Sequence, residues 1–129
     1  MAQLTHNESF FKQRTFPVIL VCDNIMYQPN IGSIFRICEA FGVQKIIFIG
    51  EGLALTPRKI NRTSRSTHLM VPYEIIEHTE DVIPQLEEYN VVALEITSSG
   101  IPLRDVKLTP NKPIALIAGS EVDGISPQL

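Results

Sequence analysis

Cysteine is scarce in this chain. Its two copies, Cys22 and Cys38, stand at no metal-like spacing, which excludes a disulfide framework and a structural zinc site. Both thiols fall within apolar segments and read as buried, unpaired core residues. Long apolar runs are missing too. None approaches the roughly 20 residues needed to span a bilayer, and the start, Met1-Ala-Gln-Leu-Thr-His-Asn-Glu-Ser9, lacks the basic-then-apolar order of a secretion signal. A soluble, cytosolic protein is the expectation. There is no G-x-G-x-x-G turn after the first apolar run, where Gly32 stands alone, so a small Rossmann-like nucleotide enzyme has little support. Internal repeats and low-complexity segments are absent, and no metal is expected.

Positive charge is in the minority. Eleven Lys and Arg face 14 Asp and Glu, for a net charge of −3, which argues mildly against a nucleic-acid partner. The distribution says more. From Gly52 to Tyr73 there is no acid, and the span holds Arg58, Lys59, Arg62, Arg65 and His68. From Glu74 to Glu95 there are seven acids and no Lys or Arg. A local basic patch is enough for phosphate contact, because affinity comes from counterions released where the backbone touches. By itself, Arg58 to Arg65 could equally be the solvated face of a helix.

What the chain does have is alternation. An N-terminal arm over 1–15, with Phe10 and Phe11 able to dock it, precedes a single domain over 16–129. Strands are expected at about 16–22, 45–49, 69–73, 90–96 and 114–118. Helices are expected from Asn30, as N-cap, to Gly42; from Pro57 to about Ser64; and from Thr79, as N-cap, to near Tyr89. Strands alternating with helices predict an α/β fold with a mostly parallel five-stranded sheet and helices on both faces.

Two of the strand ends carry unusual polar chemistry. After the first comes Asn30-Ile-Gly-Ser-Ile-Phe-Arg36-Ile-Cys-Glu-Ala-Phe-Gly42, and after the last Gly119-Ser-Glu121-Val-Asp-Gly124-Ile. Taken alone, Asn30 is a helix cap, Arg36 a surface or interface arginine and Glu121 an exposed loop acid. Together they lie where parallel sheets collect ligands, at the carboxyl ends of strands. An arginine beside a polar, glycine-bearing helix entry suits a ligand with negative charge or hydroxyls.

This pair of elements, in this order and at this separation, resembles motifs 1 and 2 of the SpoU (TrmH-like) RNA ribose 2′-O-methyltransferases, a SPOUT-class family. The resemblance covers roughly 16–129. It implies a SPOUT-like α/β fold with a deep trefoil knot, a homodimer, and methylation of a ribose 2′-hydroxyl in transfer or ribosomal RNA from S-adenosylmethionine. It further implies that Arg36 acts in catalysis and contacts RNA, with Asn30 positioning the hydroxyl and Glu121 bracing the loops. Donor binding would fall to backbone groups of Ile96, Thr97 and Gly100 and of Gly119, Glu121 and Gly124. RNA contact would fall to Arg58, Lys59, Arg62 and Arg65. In the family a third motif and a last helix, which builds much of the dimer face, follow motif 2. Here Ile125-Ser-Pro-Gln-Leu129 reads as the start of a helix, with Ser126 as N-cap and Pro127 in its first turn. A chain ending there would be a truncated product or a fragment, with an incomplete knot, weak or absent donor binding, no turnover and impaired dimerisation. A non-catalytic RNA-binding module is the alternative function; such a binder has no need of the Gly119–Gly124 element.

Overall fold

The computed structural model describes residues 2–3 and 14–129, so Phe10, Phe11 and most of the expected arm lie outside the described residues. The elements are β1 (Phe16–Asp23), α1 (Gln28–Phe41), β2 (Val43–Ile49), α2 (Pro57–Ser64), β3 (Tyr73–Ile76), β4 (Asn90–Leu94) and β5 (Ile114–Gly119). Short 3-10 turns occupy Thr67–Leu69, Thr79–Asp81, Ile83–Leu86 and Leu103–Asp105. The five strands form one sheet in the order β3-β2-β1-β5-β4, and every neighbouring pair is parallel.

Three boundaries depart from the sequence expectation. Helix α1 starts ahead of Asn30: Tyr27 is its N-cap, without a side-chain cap bond, and Pro29 stands in its first turn. Proline presets the helical φ and needs no donor there, so Asn30 is released from capping. The third strand begins after Pro72 instead of ending near it. The stretch before it turns through Thr67–Leu69, and the Pro72 carbonyl accepts the first rung from the Ile46 N–H (3.0 Å). The helix expected from Thr79 to Tyr89 is two 3-10 turns. Pro84 inside that stretch lacks the N–H an α-helix would use and clashes with the preceding turn.

Alternation along β1 splits the core in two. Ile19 and Val21 face one side with Ile47, Ile49, Ala115 and Ile117, beneath Val82 and Leu86 and edged by Tyr89, Ile125 and Leu129. Cys22, Ile46 and Phe48 face the other side, beneath Ile31, Phe35 and Cys38 of α1 and Ile60 of α2. Phe35 is fully buried, with its ring centroid 5.5 Å from that of Phe48 and 5.4 Å from that of Tyr73. Both faces of the sheet are thus covered, one by α-helices and the other by 3-10 turns.

Gly32 explains how α1 and α2 sit so close. A Cβ built there would lie 2.0 Å from Thr63 Oγ1 and 2.3 Å from the Ile60 carbonyl oxygen. The glycine therefore serves a helix crossing rather than a ligand. Gly32→Ala should destabilise the fold by about 1–3 kcal/mol, the usual cost of overpacking, read as a lower urea midpoint at unchanged slope.

Both cysteines are free and buried. Desolvation pushes the Cys38 thiol from 9.0 up to about 12. It pushes Cys22 higher still, with Cys38 adding to the effect. Because these folded values exceed the unfolded ones, the neutral thiols favour the native state. That advantage holds below about pH 9 and is lost as pH rises from there through the folded values. The native protein should resist a thiol reagent at pH 8 and react at two sites in urea, and its urea midpoint should fall between about pH 9 and 11. A native protein that reacted at pH 8 would contradict this burial.

Candidate functional site

Strand order reverses direction of growth between β1 and β5, and that is where a parallel sheet opens a crevice beyond its carboxyl ends. Asp23, the last residue of β1, lies opposite Gly119, the last of β5. The chain leaving β1 turns away into α1 and the chain leaving β5 turns away into the 119–126 loop. A cleft of about 450 Å³ lies between them, lined by Asn24 to Tyr27, Asn30, Ser33 and Ile34 on one side and Gly119 to Val122 on the other.

The β5 loop is a tight reversal. Ser120 and Gly124 exchange backbone hydrogen bonds (3.2 and 3.0 Å), and the Asp123 N–H donates to Ser120 Oγ (3.0 Å). Gly124 adopts φ +67°, and a Cβ on Gly119 would fall 2.2 Å from the Gly124 carbonyl carbon. Two glycines are needed, one for the left-handed turn and one for the close approach.

Two carboxylates then fix where the loop goes. The Ile125 N–H donates to Glu95 Oε2 (3.1 Å), and the next N–H, of Ser126, donates to Asp23 Oδ2 (2.5 Å). Asp23 is completely buried, and its other oxygen accepts from the Asn24 side chain (3.2 Å). Glu95 also accepts the Ile96 N–H through Oε1 (3.2 Å), so one side chain ties the β4 exit to the β5 loop. Neither acid was singled out from sequence. The available signal was an acid closing or directly following an apolar strand at its carboxyl end.

The loop so placed presents Glu121 to α1. Asn30 Nδ2 donates to Glu121 Oε1 at 3.0 Å, across 91 positions of sequence. An ionised carboxylate only accepts, so it holds the amide nitrogen toward itself and leaves Asn30 Oδ1 available as an acceptor. Arg36 is not brought into this contact. It is exposed and absent from the cleft lining, and six residues along α1 rotate it about 120° from Asn30. Among the described residues it makes no ion pair.

The turn after β4 is open. Ile96 is 100% exposed, Thr97 and Gly100 are exposed, and the Gly100 N–H donates to the Thr97 carbonyl (3.2 Å). On the adjoining β5 loop Val122 is 90% exposed. Exposed apolar side chains beside accessible backbone groups, on two loops tied by Glu95, suit the flat face and ring nitrogens of a nucleoside. Among the described residues no cluster of three His, Cys, Asp or Glu could hold a metal, and no helix is long and apolar enough to cross a membrane.

The basic segment forms a second cleft, of about 720 Å³, lined by Met26 to Pro29, Thr56, Arg58, Lys59 and Arg62. No acid lines it. Gln28 joins its two sides, donating to the Ala54 carbonyl (3.1 Å) and accepting from the Thr56 N–H (2.9 Å). Arg65, the C-cap of α2 at φ +49°, is exposed and outside that lining. Met26 and Tyr27 line both clefts.

Residues 17–129 match the SpoU rRNA Methylase family. The chain is 28% identical over 125 residues to the tRNA (guanosine(18)-2′-O)-methyltransferase of Aquifex aeolicus, covering 92% of this chain and 56% of that protein. Its fold is similar to that of the A. aeolicus TrmH/SpoU tRNA modifying enzyme, with a TM-score of 0.74 at 22% identity, over 90% of this chain and 58% of that one. It is also similar to an AdoMet-bound rRNA methyltransferase from Sinorhizobium meliloti, with a TM-score of 0.74 at 23% identity, over 91% and 44% of the two chains. The chain thus spans about half the length of these proteins.

The contact between the two strand ends can be measured. A double-mutant cycle of Asn30→Ala and Glu121→Ala should show a coupling of about 0.5–1.5 kcal/mol in urea unfolding. Strictly additive losses would mean that the two loops are not joined in solution.

Proposed function

This chain belongs to the SpoU rRNA Methylase family, and we propose from that premise that it methylates a ribose 2′-hydroxyl in transfer or ribosomal RNA. S-adenosylmethionine, which supplies an electrophilic methyl group, is the donor in this reading. The observation that carries it is the Asn30–Glu121 hydrogen bond, which closes the β1 exit on the β5 exit at the sheet's switch point. The donor fits the loops beyond β4 and β5. Exposed Ile96 and Val122 would cover the adenine faces, and backbone groups of Thr97, Gly100, Gly119 and Gly124 would serve its polar edges.

The hydroxyl is a weak nucleophile because it is almost wholly protonated at neutral pH. Asn30 Oδ1, left free by the carboxylate of Glu121, would accept the hydroxyl hydrogen and aim the oxygen lone pair. A guanidinium stays protonated in proteins, so Arg36 is not the base. Its role is to stabilise negative charge developing on the oxygen. In the position it occupies here it must swing toward the substrate, and contact with an RNA phosphate is the natural means. Arg58, Lys59 and Arg62, with Arg65 farther along the same helix, would neutralise neighbouring phosphates. A homodimer and a cytosolic location belong to the same reading. Ile37 and Phe41 of α1 are exposed apolar side chains that a second copy would cover.

The test is transfer of labelled methyl from S-adenosylmethionine to total transfer and ribosomal RNA, followed by nucleoside analysis. Ribose-methylated nucleosides are expected, with Asn30→Ala and Arg36→Ala each lowering turnover by about 10²–10³-fold, as for loss of one stabilising donor. RNA binding without methyl transfer, in the presence of saturating donor, would favour the RNA-binding module instead.

A further inference from the structure

The Tyr27 side chain takes no part in the Asn30–Glu121 contact. Its ring is 66% exposed, and Met26 beside it is 43% exposed. No aromatic ring stacks on it among the described residues. Phe41 is more exposed still, at 74%, but it lines neither cleft, whereas Tyr27 lines both. The Tyr27 backbone is held in place, because its carbonyl accepts the N–H groups of Asn30 (3.0 Å) and Ile31 (3.1 Å). The next residue, Gln28, is clamped on both sides of the amide by Ala54 and Thr56. On a fixed backbone a tyrosine has only two side-chain torsions to order when a flat partner covers its ring.

Its location indicates the partner. Tyr27 lies on the shared rim of the Asn30–Glu121 cleft and the Arg58–Lys59–Arg62 cleft. A polyanion held in the second and reacting in the first must cross this rim. An aromatic step between a row of cations and a hydroxyl-positioning group is how single-stranded nucleic acid is gripped: cations follow the backbone and bases stack on rings. A duplex offers no free base face.

We infer that Tyr27 is a stacking platform for an unpaired base next to or at the methylated nucleotide, so that the substrate is a looped or single-stranded RNA segment. The inference rests on the RNA-methylation reading and adds to it the structural state of the target. Phosphates lie along Arg58, Lys59 and Arg62, the base covers Tyr27 and Met26, and the ribose reaches Asn30. Tyr27 is a positioning residue, three places before Asn30 on the same helix start.

The experiment is fluorescence-anisotropy titration of the 129-residue chain with a labelled 12-nucleotide single-stranded RNA and a duplex of equal length. Single strand should bind more tightly than duplex. Tyr27→Ala should weaken single-strand binding by about 5- to 150-fold, the range for loss of one base–aromatic stack, with Tyr27→Phe close to the parent. The salt slope should be unchanged in Tyr27→Ala but reduced by about 0.7 for each of Arg58→Gln and Arg62→Gln. The chain has no tryptophan, so Tyr27→Trp introduces a single one, whose emission should be quenched by single strand and not by duplex. Equal single-strand affinity in Tyr27→Ala, with the arginine variants still weakened, overturns the platform alone. A parent chain that binds neither RNA overturns the RNA reading and the platform with it. Loss of self-association in Tyr27→Ala without loss of RNA affinity assigns the ring to a protein interface and overturns the inference.

Discussion

Asp23 is the constraint from which the site follows. A carboxylate placed at the end of a central strand, completely removed from water, is costly unless its oxygens are satisfied. One oxygen takes the Ser126 N–H and the other takes the Asn24 amide. By returning across the end of β1, the β5 loop supplies one of these two hydrogen bonds. Glu95, an exposed acid just beyond β4 on the other side of β5, accepts the preceding N–H. With two consecutive amides held by Glu95 and Asp23, the loop takes a path that leaves Glu121 within reach of Asn30. A Cβ on Gly119 would strike the Gly124 backbone, and Gly124 turns through φ +67° with Glu95 Oε2 2.6 Å from where its Cβ would stand.

Much of this architecture is legible in the residues. The parallel five-stranded sheet follows from apolar runs of strand length separated by glycine- and proline-punctuated segments, and four of the five strands fall close to their expected positions. The failures have a common origin in proline. Pro29 moves the α1 start forward, Pro72 delays β3, and Pro84 turns an expected helix into 3-10 turns. At the site, Asn30 and Glu121 could be named from their surroundings, but their hydrogen bond could not. It depends on a loop path set by Asp23 and Glu95, which in sequence are merely acids at strand ends. Gly32 carried a signal that was read toward a ligand, whereas the side chain it excludes belongs to the neighbouring helix.

The separation of Arg36 from Asn30 is equally informative. An arginine buried beside the carboxylate of Glu121 would form a salt bridge and spend its charge there, and its positive end would be unavailable to a developing oxyanion. Exposed and without an ion pair among the described residues, it keeps that charge for whatever anion arrives. The fold thus separates the two groups: a neutral amide, held by a carboxylate, lines the cleft, and the cation stands outside it.

The same sorting operates on the whole molecule. A net charge of −3 would repel an RNA if it were spread evenly. It is not, because the sheet separates its sources. Arg58, Lys59 and Arg62 sit on α2, which packs with α1 over one face of the sheet. Glu80 and Asp81, with Glu87 and Glu88 just beyond, ride on the 3-10 segment whose Val82 and Leu86 cover the other face. Screening over about 8–10 Å at ordinary ionic strength leaves each face with its own potential. A polyanion approaching at random would be repelled by the acidic face and attracted by the basic one, so an overall negative charge does not exclude such a ligand and would help orient it. The basic cleft and the Asn30–Glu121 cleft share Met26 and Tyr27, so an anion bound in the first would lie at the rim of the second.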